Sequence, residues 1–357
     1  MRDLRFRPSF QAFTPWSERQ AEQLHDRQET RTASPSETVA NLVPDRPPAS
    51  PGFPTDAERD FLLRRLTPRD VAILTALDDY RYLDQGQLEA LFFPSARTCQ
   101  LRTAWLRKQG LVHRWLRLRP QTWRRLPSVL ALSLRGAWLL AVARGHDPHP
   151  AMRRSRHALA HRFHLLHDLE ANGFFVELAA AAAPLEGEGL YHWIGDWGCR
   201  ETYRARGAAF APDGWGRYLT PSGEVALLLE WDRGTESPQR VGLKASQYVA
   251  YFSGRREAQL SNVLFVVPND LREASVRRAI SDRLPPASTP CCTFSTTTVN
   301  RLREDGPLGS VWLRLRGAAA RSRVADLPAQ PRTARDVADS ICKPGWWLRR
   351  PGGGERG

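Results

Sequence analysis

Five consecutive apolar residues, Val225 to Leu229, run directly into two acids, Glu230 and Asp232. Such a run, bounded by Pro221-Ser222-Gly223 before it and Gly234 after it, reads as a core strand. It commits the second half of the chain to a sheet. Strand side chains alternate with period two, so Glu230 and Asp232 leave the strand on one face. Ala211-Pro212-Asp213-Gly214 precedes the run by one hairpin connection, with Pro221-Ser222-Gly223 as the turn. Asp213, Glu230 and Asp232 therefore converge at a sheet end. Clustered carboxylates repel unless a divalent cation or a basic group sits among them. Oxygen-only ligands suit Mg²⁺ or Mn²⁺, the ions of phosphodiester chemistry. The plainer reading is a solvated loop of acids after a core strand.

Lysine usage points to the same place. The chain has 52 Lys plus Arg, of which only Lys108, Lys244 and Lys343 are lysines. Where surface positions are filled by Arg, a Lys shortly after Asp232 is a choice. A compact ammonium can touch a phosphate oxygen or a water nucleophile and can shift its pKa. Pro238 reads as a helix start. Val241, Lys244, Tyr248 and Tyr251 follow at helical spacing, so Lys244 shares a face with two tyrosines. Two roles stand side by side: a phosphate or water contact, and a buried ion pair with Glu230 or Asp232.

A formal net charge of +14 and a pI near 10.4 name a polyanion as partner, nucleic acid before an acidic membrane surface. No stretch approaches the roughly 18 apolar residues of a spanning helix, and Met1 to Pro8 is Arg-rich with no apolar core behind it. The five cysteines, Cys99, Cys199, Cys291, Cys292 and Cys342, form no paired or zinc-binding framework. A reduced, cytoplasmic protein is the expectation.

Residues 1–56 and 322–357 are poor in aliphatic clusters and rich in Pro, and are expected to be disordered. Between them, Thr67-Pro68 marks a helix start, with Thr67 as cap and Pro68 at the first helical position. Further helices are expected over Asp84 to Phe92 and from Pro94-Ser95 to Gln109, ended by Gly110. Leu111 to Leu118 and Val129 to Leu134 read as two strands. Three helices followed by a hairpin describe a winged helix-turn-helix over residues 57–147. An α/β domain is expected over 153–321, with a long helix from Ser155 to Ala183. Strand-like pieces follow at Tyr191–Ile194, Ala208–Ala211, Val225–Trp231, Val263–Val267 and Ser310–Leu315. The fold class is α+β.

Charge in the first unit is lopsided. Arg97, Arg102, Arg107, Lys108, Arg114, Arg117, Arg119, Arg124 and Arg125 lie in a span without a single Asp or Glu. This is where the third helix and wing of such a module meet DNA phosphates. A general Arg-rich surface is the plainer alternative. His157, His161, His164 and His167 invite a metal reading, and the first three would share a helical face; without HExxH, a packed face or polyanion contacts are favoured over zinc.

Several of these pieces resemble one known family. They are Leu66-Thr67-Pro68-Arg69-Asp70, Tyr82-Leu83, Leu91-Phe92-Phe93, Gly110-Leu111-Val112, His161, Pro212-Asp213-Gly214, the string Leu229 to Glu236, Lys244, Tyr248, and Val263 to Pro268. Together, over roughly residues 60–315, they look like the replication-relaxation family of plasmids and other mobile elements. The resemblance implies a role in plasmid replication and DNA relaxation. It also implies a second domain similar to the PD-(D/E)XK nuclease fold. That motif wants Asp, then Glu-x-Lys; here Asp213 and Glu230 take the first two places, but Asp232 stands where Lys is wanted. Either Lys244 supplies the amine from the following helix, or the site binds without cleaving. The expected protein is a double-stranded-DNA-binding protein that nicks DNA with Mg²⁺ or Mn²⁺ held by Asp213, Glu230 and Asp232, with Lys244 assisting. The competing class is a non-catalytic origin- or operator-binding initiator or regulator.

Overall fold

A computed structural model describes residues 42–44, 52–118, 125–160, 164–253, 261–284, 292–317 and 320–331. Residues 42–44, 116–118, 125, 126 and 160 are described as backbone only. Among the described residues the chain is a mixed α+β protein with eleven helices and two sheets.

The first half follows its local signals closely. Helix α1 (Asp56–Arg65) starts at a capping box between Thr55 and Glu58. Helix α2 (Pro68–Tyr80) starts as expected, with Thr67 as cap, Pro68 in the first turn and Asp70 closing the box. A short strand β2 (Leu83–Asp84) leads into α3 (Gln85–Phe92), capped by Asp84, and Ser95 caps α4 (Ala96–Lys108). Gly110, at φ 71°, ends that helix. The hairpin β3 (Val112–Leu118) and β4 (Arg125–Leu132) follows. An edge strand β1 (Leu42–Pro44) joins it, giving the antiparallel order β1-β3-β4-β2. These three residues fall in the segment expected to be disordered. They pair antiparallel with β3 on one side, and Pro44, which lacks an N–H, tolerates an edge position.

Helices α5 (Leu134–Ala143) and α6 (Pro148–Ala160) lead to α7 (Leu165–Ala182). The long helix expected from Ser155 is therefore two helices, with His164 as the N-cap of the second. His157 lies on α6, whereas His164 and His167 lie at the start of α7, so these three do not line one helix; His161 lies outside the described residues. The second sheet holds β5 (Gly189–Gly195), β6 (Gly214–Thr220), β7 (Gly223–Trp231), β8 (Ser261–Val267), β9 (Cys292–Thr298) and β10 (Leu313–Arg314) in the order β10-β9-β8-β7-β6-β5. β5, β6 and β7 form an antiparallel meander, and β7, β8 and β9 run parallel. Helix α8 (Asp196–Ala205) follows β5, α9 (Pro238–Ser253) joins β7 to β8, α10 (Asp270–Arg283) joins β8 to β9, and α11 (Val299–Asp305) follows β9.

Two sequence expectations shift here. The strand expected at Ala208–Ala211 is instead β6, whose Gly214 and Gly216 hide it from a propensity reading. The Phe175 ring of α7 lies on that strand, and a Cβ on Gly216 would fall 2.7 Å from it. Glycine marks this close approach. Residues 322–331, expected to belong to a disordered tail, pack on the body. Val324 and Leu327 are buried, and Gln330 exchanges backbone hydrogen bonds with Glu224 at 2.8 and 3.0 Å.

The two halves share one apolar core, in which Leu74, Leu77 and Leu88 join Phe174, Phe175, Trp193 and Leu229. Their junction centres on Arg81. Its backbone has φ 66° and ψ −54°, and Tyr82 N–H donates to the Tyr80 carbonyl at 2.7 Å. This is a γ-turn of the rare, strained hand. Asn172 of α7 donates to the Tyr80 and Tyr82 carbonyls at 3.0 and 3.1 Å, and Tyr80 stacks on Trp193 at 4.3 Å. The Arg81 guanidinium lies 3.2 Å from Asp168 and 3.3 Å from Asp196, over the Trp197 ring. Cys99, Cys199 and Cys292 are buried.

Candidate functional site

The end of the β6–β7 pair gathers the acidic residues. Gly214 pairs with Leu229, so Asp213 stands beside Glu230 at the strand ends. Asp213 N–H donates to the Leu229 carbonyl at 2.9 Å, and the Trp231 N–H donates to Asp213 Oδ2 at 2.7 Å. These bonds fix the Asp213 carboxylate from its own strand pair. His167, two residues into α7, brings Nε2 to 3.3 Å from Asp213 Oδ2 and 3.0 Å from the Trp231 carbonyl.

Glu230 is buried and faces α9. Lys244 Nζ and the Tyr248 hydroxyl, one helical turn apart, donate to Oε2 and Oε1 respectively. Of the two sequence readings of Lys244, the geometry realises the ion pair, and its partner is Glu230. A quarter of the Lys244 side chain stays exposed, against 4% for Glu230.

Asp232 leaves β7 on the same face as Glu230, as the alternation requires, but it does not join the cluster. Its Oδ2 accepts from Arg272 Nε at 2.6 Å and its Oδ1 from the Gly234 N–H at 2.6 Å. Arg272 also donates to the Glu236 carbonyl at 2.6 Å, so the string after β7 is tied to α10.

The electrostatics follow from burial and these partners. Burial pushes Glu230 up to about 7, against the pull of Lys244 and Tyr248. Burial would also raise Asp213, but His167 and Lys244 hold it well below the usual carboxylate range. Burial opposes the charge on His167, yet Asp213 and Asp168 push it well above its ordinary value. Lys244 is likewise raised by Glu230 and Asp213 against burial. Two carboxylates and two protein cations thus make a nearly balanced cluster.

A pH dependence follows. The stabilisation from His167 is complete below its ordinary value of 6.5 and is lost as pH rises through its raised folded value. Glu230 acts in the same direction between 4.5 and about 7. The Asp213 contribution is present above 3.8 and is lost only as pH falls through its depressed folded value. Denaturant unfolding at about pH 6 and about pH 9 should therefore show lower stability at the alkaline value, and His167→Gln should flatten that slope. An equal slope in both proteins would remove His167 as its source.

Asp213 and Glu230 are hard oxygen donors of the kind that Mg²⁺ or Mn²⁺ takes. The three-acid cage expected from the sequence does not fit the geometry. Both oxygens of Glu230 and both of Asp232 accept from protein donors, and no three possible ligands are grouped among the described residues. A divalent ion at this end of the sheet would compete with Lys244 for Glu230.

The basic residues divide as well. Arg97 and Lys108 are exposed on α4, and Arg107 and Arg114 are half-buried. Arg102 folds back onto buried Asp70, donating from Nε at 2.6 Å and from Nη2, with its guanidinium 4.2 Å over the Trp105 ring. Arg102 therefore joins α4 to α2. Trp115 is core, packed edge-on to Tyr82. The side chains of Arg117 and Arg125 are not described, and Arg119 and Arg124 lie outside the described residues.

Sequence reasoning singled out His167 only among four histidines, not as the partner of Asp213, and missed Arg272. Each meets its acid through tertiary packing, and no spacing links it to Asp213 or Asp232. Tyr248 was visible as part of the Lys244 face.

A family model described as replication-relaxation matches residues 74–267, more than half of the chain, from within α2 to the end of β8. No curated protein and no solved structure matches it.

Proposed function

This chain belongs to the replication-relaxation family, with a role in plasmid or mobile-element replication or relaxation, and from that premise we propose that it works by binding duplex DNA. In this reading α2, α3, α4 and strands β2, β3 and β4 are a winged helix-turn-helix, with α4 as the helix that enters the DNA groove. The observation that carries it is the acid-free basic span from Arg97 to Arg125, which covers nearly all of α4, the whole of β3 and the start of β4. Arg102 is spent on Asp70, so Arg97 and Lys108 are the phosphate contacts on the helix.

A second reading, metal-dependent nicking, is supported by the placement of three residues. Asp213 and Glu230 stand at adjacent strand ends and Lys244 lies on the helix that follows β7, the residue types that a PD-(D/E)XK-like nuclease site calls for. In the first reading this domain is a degenerate nuclease fold used for recognition, its acids neutralised by Lys244 and His167.

One set of measurements separates them. Duplex binding should weaken with salt, and the Arg97→Gln/Lys108→Gln double variant should lower the log–log slope by about 1.8. An unchanged slope sinks the α4 assignment. Supercoiled plasmid incubated with Mg²⁺ or Mn²⁺ should stay uncut if the domain only recognises DNA. Cutting that Glu230→Gln abolishes would establish the nicking reading instead.

A further inference from the structure

The surface of α4 is sharply divided. Cys99, Thr103 and Leu106 are buried, while Arg97, Gln100, Leu101, Ala104 and Lys108 are exposed. Leu101 is 60% exposed, although the other large apolar residues of this helix pack inward or lie half-buried. The side chains of Arg97, Gln100 and Lys108 make no hydrogen bond or ion pair among the described residues, and Arg102 is turned away onto Asp70. The outward face thus has a cation at each end and an amide, an aliphatic group and a small residue between them. Arg97 and Lys108 are about 16 Å apart along the helix at 1.5 Å per residue, somewhat more than the roughly 12 Å width of the major groove. That spacing lets the two end cations reach phosphates on opposite walls while the middle of the face meets base edges.

The choice of residues in the middle carries information. Arginine supplies 49 of the chain's 52 Lys and Arg residues. Arginine at the centre of a reading helix forks onto guanine O6 and N7. The centre here is Gln100 and Leu101. A glutamine amide pairs with adenine N6 and N7, and an apolar side chain packs on the thymine C5-methyl. We propose that this face of α4 reads A·T base pairs in the major groove, Gln100 recognising adenine and Leu101 the thymine methyl. This rests on the reading of the α2–β4 unit as duplex-DNA-binding. Ala104, one turn on, has no bulk to hold the helix off the bases. Both reading residues lie in the first half of the helix, where such helices meet base edges.

The test uses the full chain. Duplexes selected from a random-sequence library are measured by fluorescence anisotropy at one fixed salt concentration. The selected sites should hold A·T pairs at fixed positions. Replacing the read adenine by 7-deazaadenine should weaken binding about tenfold, and replacing the read thymine by uracil should weaken it about fourfold. Gln100→Ala should lose the first sensitivity and Leu101→Ala the second, each with an unchanged salt slope. Both side chains are exposed, so the variants should melt like the parent. Selection of G·C, selection of no sequence at all, or base-analogue effects that persist in both variants would overturn the proposal while leaving DNA binding intact. Absence of duplex binding at any salt concentration would instead overturn the underlying reading, and the proposal with it.

Discussion

Arg81→Ala should destabilise the protein by about 3–5 kcal/mol, the cost of removing one partner from a buried ion cluster. The guanidinium is 8% exposed and lies between Asp168 and Asp196, which are 3% and 4% exposed. Without it Asp168 keeps only His167, at 3.9 Å, while Asp196 keeps Arg200 at 2.7 Å. The backbone adds a second, separable effect. At φ 66° any residue with a Cβ is strained, so Arg81→Gly should be more stable than Arg81→Ala by about 1 kcal/mol. That is the reverse of the usual order of glycine and alanine. Arg81→Lys should fall between parent and Ala, because it keeps the charge but not the fork. Denaturant midpoints at constant m measure all three. Variants within about 0.5 kcal/mol of the parent would show that the junction does not depend on this cluster.

The Glu230–Lys244 pair should show the second large effect. Lys244→Met leaves Glu230 buried with only Tyr248, at a cost on the order of 3 kcal/mol. The Glu230→Gln/Lys244→Met double variant removes both charges and should recover more than half of that loss. The double-mutant cycle isolates the coupling. The same proteins report on cations. If Asp213 and Glu230 can take a divalent ion, Mg²⁺ or Mn²⁺ should raise the melting temperature of Lys244→Met more than that of the parent, because the ion no longer competes with the amine. A Lys244→Met protein as stable as the parent would rule out the buried pair as a structural element. A Lys244→Met protein indifferent to both ions would confine this site to recognition.

Much of the protein is decided by its sequence alone, wherever a signal is local. Thr67-Pro68 and Asp84 set helix starts because a cap satisfies N–H groups only two or three residues away. Val225 to Leu229 can only be a core strand, and its two-residue period puts Glu230 and Asp232 on one face. The helical spacing of Lys244 and Tyr248 likewise puts both on one turn, and both reach Glu230. The bias of charge between Arg97 and Arg125 is a property of composition and needs no fold to be seen. What the sequence leaves open is decided by contacts between residues far apart in the chain. Asp232 leaves the acidic cluster because α10 brings Arg272 to it from 40 residues away. His167 enters because α7 packs across the meander, and the same packing sets the Phe175 ring against Gly214 and Gly216 of β6. Arg102 looks like a phosphate contact until Asp70, 32 residues earlier, is brought beside it. An ion pair is chosen by which charges the folded core brings within about 4 Å, and no local periodicity encodes that distance.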